Sequence, residues 1–215
     1  MSLLNRKPRP ISRALLKERD DRIFFVATED RYAAAQYLGF LREARVHIVV
    51  LPTEEGMASA ASHVVARLAA KHTEAKKECE ILEDDEFWIL VDTDHQINEA
   101  HKSSFVAALN DARGRGFKIA VSNPCFELWL LLHHESVERN RPLNGYSAVE
   151  DRLRAKLGGY NKTNLKAEHF PPDLRVVAIE RARSLENDPN NPSGYWPDPM
   201  GSRVYLLLEA ILRLR

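Results

Sequence analysis

Acidic side chains directly follow two predicted strands. Glu29 comes after the apolar run 22–28, and Asp92 and Asp94 come after the apolar run 87–91. In an open parallel sheet, ligands bind beyond the carboxyl ends of the strands. If these two strands are neighbours, the acidic side chains converge, and their mutual repulsion is relieved by a cation such as Mg²⁺ or Mn²⁺. The pattern therefore predicts a divalent-cation site that could activate water and neutralise a phosphodiester.

A purely structural interpretation of the same residues is also open. Asp92 and Asp94 could cap the loop before a helix predicted at 99–113, and Glu29 could cap a helix predicted at 31–44. Acidic residues after strands are common, and an Asp-x-Asp motif is short. The combination of a Glu after the first strand with Asp-x-Asp after the third is more specific than either feature alone.

Strand and helix signals alternate through the first two-thirds of the chain. Near-continuous apolar strands separated by amphipathic helices are typical of a mostly parallel sheet with helices on both faces. We therefore predict an α/β fold. The predicted strands span residues 22–28, 46–51, 87–91 and 117–121, and an apolar helix from about 124 to 133 follows the last of them.

From Glu135 onward the pattern changes to helical segments with polar breaks, and no strand signal is visible. The last segment has apolar residues at helical spacing and should dock on the core. We therefore divide the chain into a basic N-terminal arm (1–21), an α/β core (22–135) and a helical C-terminal extension (136–215).

Charge and composition narrow the possible partners. The 215 residues include 31 basic and 31 acidic ones, so the formal net charge is zero and a nucleic-acid partner must be held by a local patch. No apolar run is long enough to span a bilayer, and the first 22 residues lack the apolar region of a secretory signal, so we expect a cytoplasmic protein without a membrane partner. Cys79 and Cys125 form neither a disulfide framework nor a metal quartet.

Basic residues gather in two regions, each of which could contact phosphates or be an ordinary solvated surface. They are Arg6, Lys7, Arg9, Arg13, Lys17, Arg19 and Arg22 near the N-terminus, and Arg139, Arg141, Arg152, Arg154, Lys156, Lys162 and Lys166 in the last third.

Glu127 lies in the first turns of an otherwise apolar predicted helix. A buried carboxylate in that position needs a partner. It could bind the metal, pair with an Arg or Lys of the N-terminal arm, or act as a structural anchor favoured by the helix dipole. The metal-related and the structural roles stay open.

Two other polar residues are also candidates. His95, beside Asp94, is a candidate for contacting a phosphate. Asn123 could have a direct role, or it could be the N-cap of a helix whose first residue is Pro124.

Four bulky residues are more simply explained by structure. His133 and His134 end the predicted apolar helix, where the helix dipole favours histidine even without a function. Trp88 and Trp129 fall in apolar runs and should belong to the core.

The Glu and Asp-x-Asp arrangement resembles the Toprim domain, the metal-binding core of topoisomerases, primases and several nucleases. The string at 122–133, Ser-Asn-Pro-Cys-Phe-Glu-Leu-Trp-Leu-Leu-Leu-His, resembles the signature of the RloB-like family of small Toprim-like proteins. The basic segment 6–9, the Asp-Thr-Asp at 92–94 and the Tyr-Asn-Lys at 160–162 match in the same order. The resemblance spans nearly the whole chain.

The resemblance implies a divalent-metal-dependent nuclease or related phosphoryl-transfer enzyme in antiviral defence, with DNA or RNA and possibly a protein from the same defence operon as partners. It implies that Asp92 and Asp94 bind the metal, that Glu29 is a ligand or general base, and that Glu127 belongs to the catalytic set. It also implies phosphate contacts for Lys162, and we add His95 and Asn123 to the nucleic-acid-binding candidates. The alternative is a non-catalytic nucleic-acid or nucleotide-binding module of a defence complex.

The chain departs from the family at one motif. The family usually reads Glu-Gly-x-x-Thr-Glu after the first strand, whereas this chain has Glu-Asp-Arg-Tyr-Ala-Ala at 29–34, with Tyr37 retained. The first Glu is kept and the second is replaced by Ala34. Either the metal site is weaker for this loss, or Asp30 has taken over the role.

Overall fold

The computed structural model describes residues 21–53, 60–78, 81–94, 96–97, 99–186 and 194–213. A single five-stranded sheet with the order β2-β1-β3-β4-β5 organises this part of the chain. The strands are β1 (Arg22–Thr28), β2 (Val46–Leu51), β3 (Glu86–Asp92), β4 (Lys118–Asn123) and β5 (Gly201–Ser202). The helices are α1 (Ala33–Gly39), α2 (Ala61–Glu78), α3 (Lys102–Gly114), α4 (Phe126–Leu132), α5 (Gly145–Leu157), α6 (Pro172–Leu185) and α7 (Val204–Leu212).

The predicted mostly parallel sheet is confirmed, with one addition. Strands β1 to β4 pair in parallel, and β5 pairs antiparallel with β4 through Ser122 with Ser202 and Asn123 with Gly201. The expectation of no strand after Glu135 was therefore wrong. A strand of two residues is too short to show alternating apolar side chains, so its sequence carries no strand signal.

Helix α1 is much shorter than the helix predicted at 31–44. The backbone N–H groups of Phe40 and Leu41 donate to the carbonyls of Tyr37 and Leu38, which tightens the last turn and ends the helix. Arg45 then has a left-handed backbone conformation (φ 59°) that turns the chain into β2.

Strands β1 and β3 are direct neighbours, as the predicted acidic site requires. Thr28 pairs with Leu90, and the backbone N–H of Glu29 donates to the Leu90 carbonyl at 2.9 Å. The residues that follow both strands therefore leave the sheet side by side at its carboxyl edge.

Apolar layers cover both faces of the sheet because successive strand side chains point to opposite sides. Phe25 and Ile89 pack with α2 and α3, whereas Phe24 and Trp88 pack with α1, α4, α5, α6 and α7. Trp88 and Trp129 are buried, as predicted.

All seven residues of α4 are buried. A helix that is apolar almost all round needs contacts on every side. The sheet covers one side of α4, and α5 and α6 cover others, so these C-terminal helices complete the core around it. Among the described helices, none is both long and apolar enough to cross a membrane.

Candidate functional site

The carboxyl edge of β1 and β3 opens into a cleft of about 330 Å³. Loops after the two strands, the first turn of α4, helix α5 and the loop after α5 contribute its walls. The lining residues are Glu29, Asp30, Arg31, Asp92, Asp94, Glu127, Tyr146 and Lys162. The structure therefore brings together five of the predicted site residues: Glu29, Asp92, Asp94, Glu127 and Lys162. Asn123 does not line the cleft, and His95 lies outside the described residues.

The carboxylate of Glu29 is held at both oxygens. Its Oε2 accepts the backbone N–H of Asp92 at 3.1 Å, and its Oε1 accepts the side-chain amide of Gln96 at 3.0 Å. The loop after β3 thus fixes an acid that follows β1. Nothing in the spacing of Gln96 singled it out, because its role depends on which strands are neighbours.

Asp92 is in an environment that disfavours its charge. Burial raises its pKa well above the usual range, and the nearby charges of Glu29, Glu127 and Asp94 raise it further. The backbone N–H of Phe126 donates to the Asp92 carboxylate and opposes the shift. The cleft is therefore short of positive charge, a situation that a bound divalent cation would relieve.

Asp30 caps the start of α1. Its Oδ1 accepts the backbone N–H groups of Tyr32 at 2.8 Å and Ala34 at 3.2 Å. The suggestion that Glu29 caps this helix was therefore wrong. The Oδ2 of Asp30 lies 3.4 Å from Nζ of Lys162. Asp30 lines the cleft, but its carboxylate oxygens already contact the start of α1 and the ammonium of Lys162.

Glu127 is 3% exposed, and its Oε1 accepts the phenol O–H of Tyr160 at 3.0 Å. Burial raises the pKa of Glu127, and the charge of Asp30 adds to the effect, while its own backbone N–H, Lys162 and Tyr160 oppose it. A phenol thus donates a hydrogen bond to this buried carboxylate. Tyr160 belongs to the Tyr-Asn-Lys motif at 160–162. Its contact with Glu127 joins residues too far apart in sequence to be predicted.

Lys162 brings a positive charge into the acidic cleft. Its ammonium lies 3.4 Å from Asp30 and 5.8 Å from the ring centroid of Tyr146. Burial opposes the charged form, but the carboxylates of Asp30 and Glu127 outweigh it, so the pKa of Lys162 is raised. Gln36 of α1 donates to the Lys162 carbonyl at 2.7 Å, which fastens this loop beside the cleft.

Asn123 is buried, and its side chain is engaged within the protein. Its Oδ1 accepts the hydroxyl of Thr93 at 2.8 Å, and its Nδ2 donates to the carbonyls of Pro197 at 2.7 Å and Pro199 at 3.0 Å. Helix α4 begins at Phe126 with Cys125 as N-cap, so the interpretation of Asn123 as the N-cap was wrong. Its contact with nucleic acid stays a prediction.

His133 and His134 follow α4, away from the residues that line the cleft. The Nε2 of His133 lies 3.1 Å from the hydroxyl of Tyr37, and its Nδ1 lies 3.0 Å from the carbonyl of Trp129. Because a carbonyl only accepts, Nδ1 carries the hydrogen and Nε2 accepts from Tyr37. Burial lowers the pKa of His133 to about 3, so the ring is neutral and the helix dipole does not explain its position.

The side chains that line the cleft fit magnesium or manganese in the type of ligand atom they offer, but not in their arrangement. Carboxylate oxygens are the ligands that these ions prefer. Within the described ranges, however, no group of three or more His, Cys, Asp or Glu side chains is arranged to hold one ion. Mg²⁺ commonly uses one or two carboxylates and takes its other ligands from water and substrate phosphates. The cleft fits that kind of site and does not fit a cage built from protein ligands alone.

The fold and the site together define the class of protein: an α/β protein with an acidic cleft at the carboxyl edge of a mostly parallel sheet. A family model described as RloB-like protein matches residues 24–211, from β1 to α7, and the chain belongs to the RloB-like family. No curated protein and no solved structure matches the chain.

Proposed function

We propose that this chain is a Mg²⁺- or Mn²⁺-dependent nuclease or a related phosphoryl-transfer enzyme. The observation that carries the proposal is that carboxylates at the ends of β1 and β3 and in the first turn of α4 converge on one cleft. They are Glu29, Asp30, Asp92, Asp94 and Glu127. Repelling carboxylates around a cavity are costly to the fold unless a cation offsets them, and hydrolysis of phosphodiesters is chemistry that such a cation serves.

Asp92 and Asp94 are the residues that would hold the ion. A divalent cation in this position would neutralise phosphate charge and lower the pKa of a bound water. Glu29, held by two hydrogen bonds, could accept a proton from the attacking water or complete the ligand set. The water oxygen would form a bond to phosphorus as the bond to the leaving oxygen breaks. Lys162 would contact a non-bridging phosphate oxygen.

Antiviral defence is a further part of this proposal, and family membership alone supports it. Within a defence operon, a partner protein could control when the cleft meets nucleic acid. A plaque assay on cells that carry the operon tests the biological role: the parent should reduce plating, and Asp92→Asn should restore it.

A second candidate function is non-catalytic binding of nucleic acid or a nucleotide. Two observations favour it: the described residues hold no preformed group of three acidic ligands, and Lys162 already lies beside Asp30. In this case the cleft would recognise a metal-bound phosphate without cleaving it.

Cleavage assays separate the two functions. Labelled single- and double-stranded DNA and RNA are incubated with Mg²⁺, Mn²⁺ or EDTA, using the parent, Asp92→Asn and Asp94→Asn. The matched control is Asp111→Asn, because Asp111 is a half-exposed acid on α3 that pairs with Arg115 outside the cleft. We expect metal-dependent cleavage by the parent and the control, and loss by about 100-fold or more in the other variants. Metal-dependent binding without cleavage would support the second function.

A further inference from the structure

An exposed aromatic residue stands next to the acidic cleft. Among the described residues, three large apolar side chains are exposed: Tyr32 (39%), Ile97 (37%) and Val176 (43%). Tyr32 follows β1 and Ile97 follows β3, so two of the three lie on the loops that carry the acidic residues. Of these, Tyr32 offers an aromatic ring beside the cleft, and such a ring is a surface on which a ligand ring can stack.

Tyr32 is paired with an arginine that lines the cleft. The guanidinium carbon of Arg31 lies 5.6 Å from the ring centroid of Tyr32, and its Nη1 lies 3.4 Å from the phenol oxygen. Arg31 is itself one of the cleft-lining residues. An aromatic ring and a guanidinium thus stand side by side next to the proposed reaction site.

The backbone holds this pair in place. Asp30 accepts the N–H of Tyr32 at 2.8 Å, and Gln36 donates from its side chain to the Tyr32 carbonyl at 3.0 Å. Gln36 also donates to the carbonyl of Lys162. The segment that carries the aromatic ring is therefore tied to the segment that carries the cleft lysine, while Tyr32 itself stays 39% exposed.

We infer that Arg31 and Tyr32 form a subsite for an unpaired nucleotide of the substrate, which rests on the proposed function in taking nucleic acid as that substrate. A base stacks on the Tyr32 ring, and the Arg31 guanidinium contacts the adjoining phosphate. Aromatic rings and guanidinium planes are the groups on which unstacked bases pack. Bases inside a duplex have both faces covered, so this subsite selects single strands, loops or ends.

The charges of the chain and of the cleft support separate roles for Tyr32 and Arg31. The chain has no net charge, so it has no general attraction for a polyanion. The cleft itself is lined by five carboxylates, which repel phosphate when no cation is bound. Stacking on Tyr32 does not require a charge, and Arg31 places one positive group in the lining of the cleft. Together they bind the strand before the metal-dependent contacts form.

Equilibrium binding tests the subsite directly. Fluorescence anisotropy is measured in EDTA for a labelled single-stranded oligonucleotide and for the same sequence as a duplex. The variants are Tyr32→Ala, Tyr32→Phe and Arg31→Ala, with Val176→Ala as a control at an exposed apolar residue of α6. Because Tyr32 and Val176 are exposed, neither truncation should change the melting temperature appreciably. A fluorescent base analogue whose emission falls on stacking reports the contact itself.

We expect the parent to prefer the single strand, and Tyr32→Ala to weaken its binding roughly 5- to 100-fold. Arg31→Ala should weaken binding and keep the fall in emission. Tyr32→Phe and Val176→Ala should bind like the parent, and only Tyr32→Ala should lose the fall in emission. Equal binding by Tyr32→Ala and the parent, a preference for duplex, or no binding by the parent would overturn the inference. Cleavage that is independent of Tyr32 would remove the subsite and leave the proposed function intact. Tyr32-dependent binding without cleavage under any metal would support the subsite and contradict the proposed nuclease function.

Discussion

The carboxylate of Glu29 accepts the backbone N–H of Asp92 at 3.1 Å. This hydrogen bond joins the residue that follows β1 to the last residue of the neighbouring strand β3. It places an acid from one loop against the Asp-Thr-Asp motif of the other. The same contact also brings negative charges together, and the charge of Glu29 helps to raise the pKa of Asp92.

Neutralising Asp92 should reduce repulsion within the metal-free cleft. We expect Asp92→Asn to melt at the same temperature as the parent or a few degrees higher, since about 1 kcal/mol corresponds to roughly 2–4 °C for a chain of this size. Mn²⁺ added with a phosphorothioate oligonucleotide should raise the melting temperature of the parent and leave that of Asp92→Asn nearly unchanged. Differential scanning calorimetry measures both effects. A variant that melts well below the parent, or one that keeps the full Mn²⁺ shift, would contradict this assignment.

Glu127→Gln should stabilise the protein at neutral pH. The folded state raises the pKa of Glu127, so the folded chain holds this proton more tightly than the unfolded chain, and stability falls as the pH rises above the unfolded value of 4.5. A glutamine avoids that loss and can still accept from Tyr160. We expect a gain on the order of 1 kcal/mol at pH 7 that disappears below about pH 4.

Urea unfolding of parent and Glu127→Gln across this pH range measures the difference. Tyr160→Phe is the matched comparison, because it removes the donor to Glu127 and should cost about 1–3 kcal/mol. Destabilisation by Glu127→Gln at neutral pH would instead show that the carboxylate is paired with a cation.

Asn123→Ala should destabilise the fold and loosen the Asp-x-Asp loop. The substitution leaves the Thr93 hydroxyl and the carbonyls of Pro197 and Pro199 without this partner. We expect a loss of about 2–4 kcal/mol in the free energy of unfolding. Single-strand binding in EDTA, measured below the melting temperature, should change by less than about two-fold, since the amide does not line the cleft. A stable variant with greatly weakened binding would mean that Asn123 contacts nucleic acid.

His133 should make the protein sensitive to acid. Its pKa is lowered to about 3 in the folded state from 6.5, so the unfolded chain takes up a proton on this ring at a higher pH than the folded chain. Stability from this group is complete above pH 6.5 and falls, by up to about 1.4 kcal/mol per pH unit, as the pH drops toward the folded value.

His133→Gln removes this titration while retaining an acceptor for Tyr37. Its unfolding free energy should therefore vary less steeply than that of the parent between about pH 6 and pH 4. Identical slopes for the two proteins would show that the ring is already protonated in the folded state.

The sequence predicted the architecture because burial imposes patterns that need no knowledge of distant contacts. Near-continuous apolar strands such as β3 and the wholly apolar face of α4 can be identified locally. The acidic residues were predicted correctly as neighbours because strand ends meet at one edge of a parallel sheet. The edge strand β5 was missed, since its partner lies about 80 residues away along the chain and its two residues carry no periodicity.

The partners of the site residues could not be predicted in the same way. The contact of Gln96 with Glu29 joins residues 67 positions apart in the chain, and that of Tyr160 with Glu127 joins residues 33 positions apart. Their residue types are common on protein surfaces, so neither stands out before the strand order is known. The capping role of Asp30 was missed for a different reason, because either of two adjacent acids could have supplied it.

The proposed function requires that the cleft binds a divalent cation together with phosphate. The most direct test is a crystal of the parent grown with Mn²⁺ and a phosphorothioate oligonucleotide, examined by anomalous diffraction. We expect one or more Mn²⁺ ions between a phosphate oxygen and the carboxylates of Asp92 and Asp94. An oligonucleotide bound at the cleft with no Mn²⁺ beside these carboxylates would contradict it.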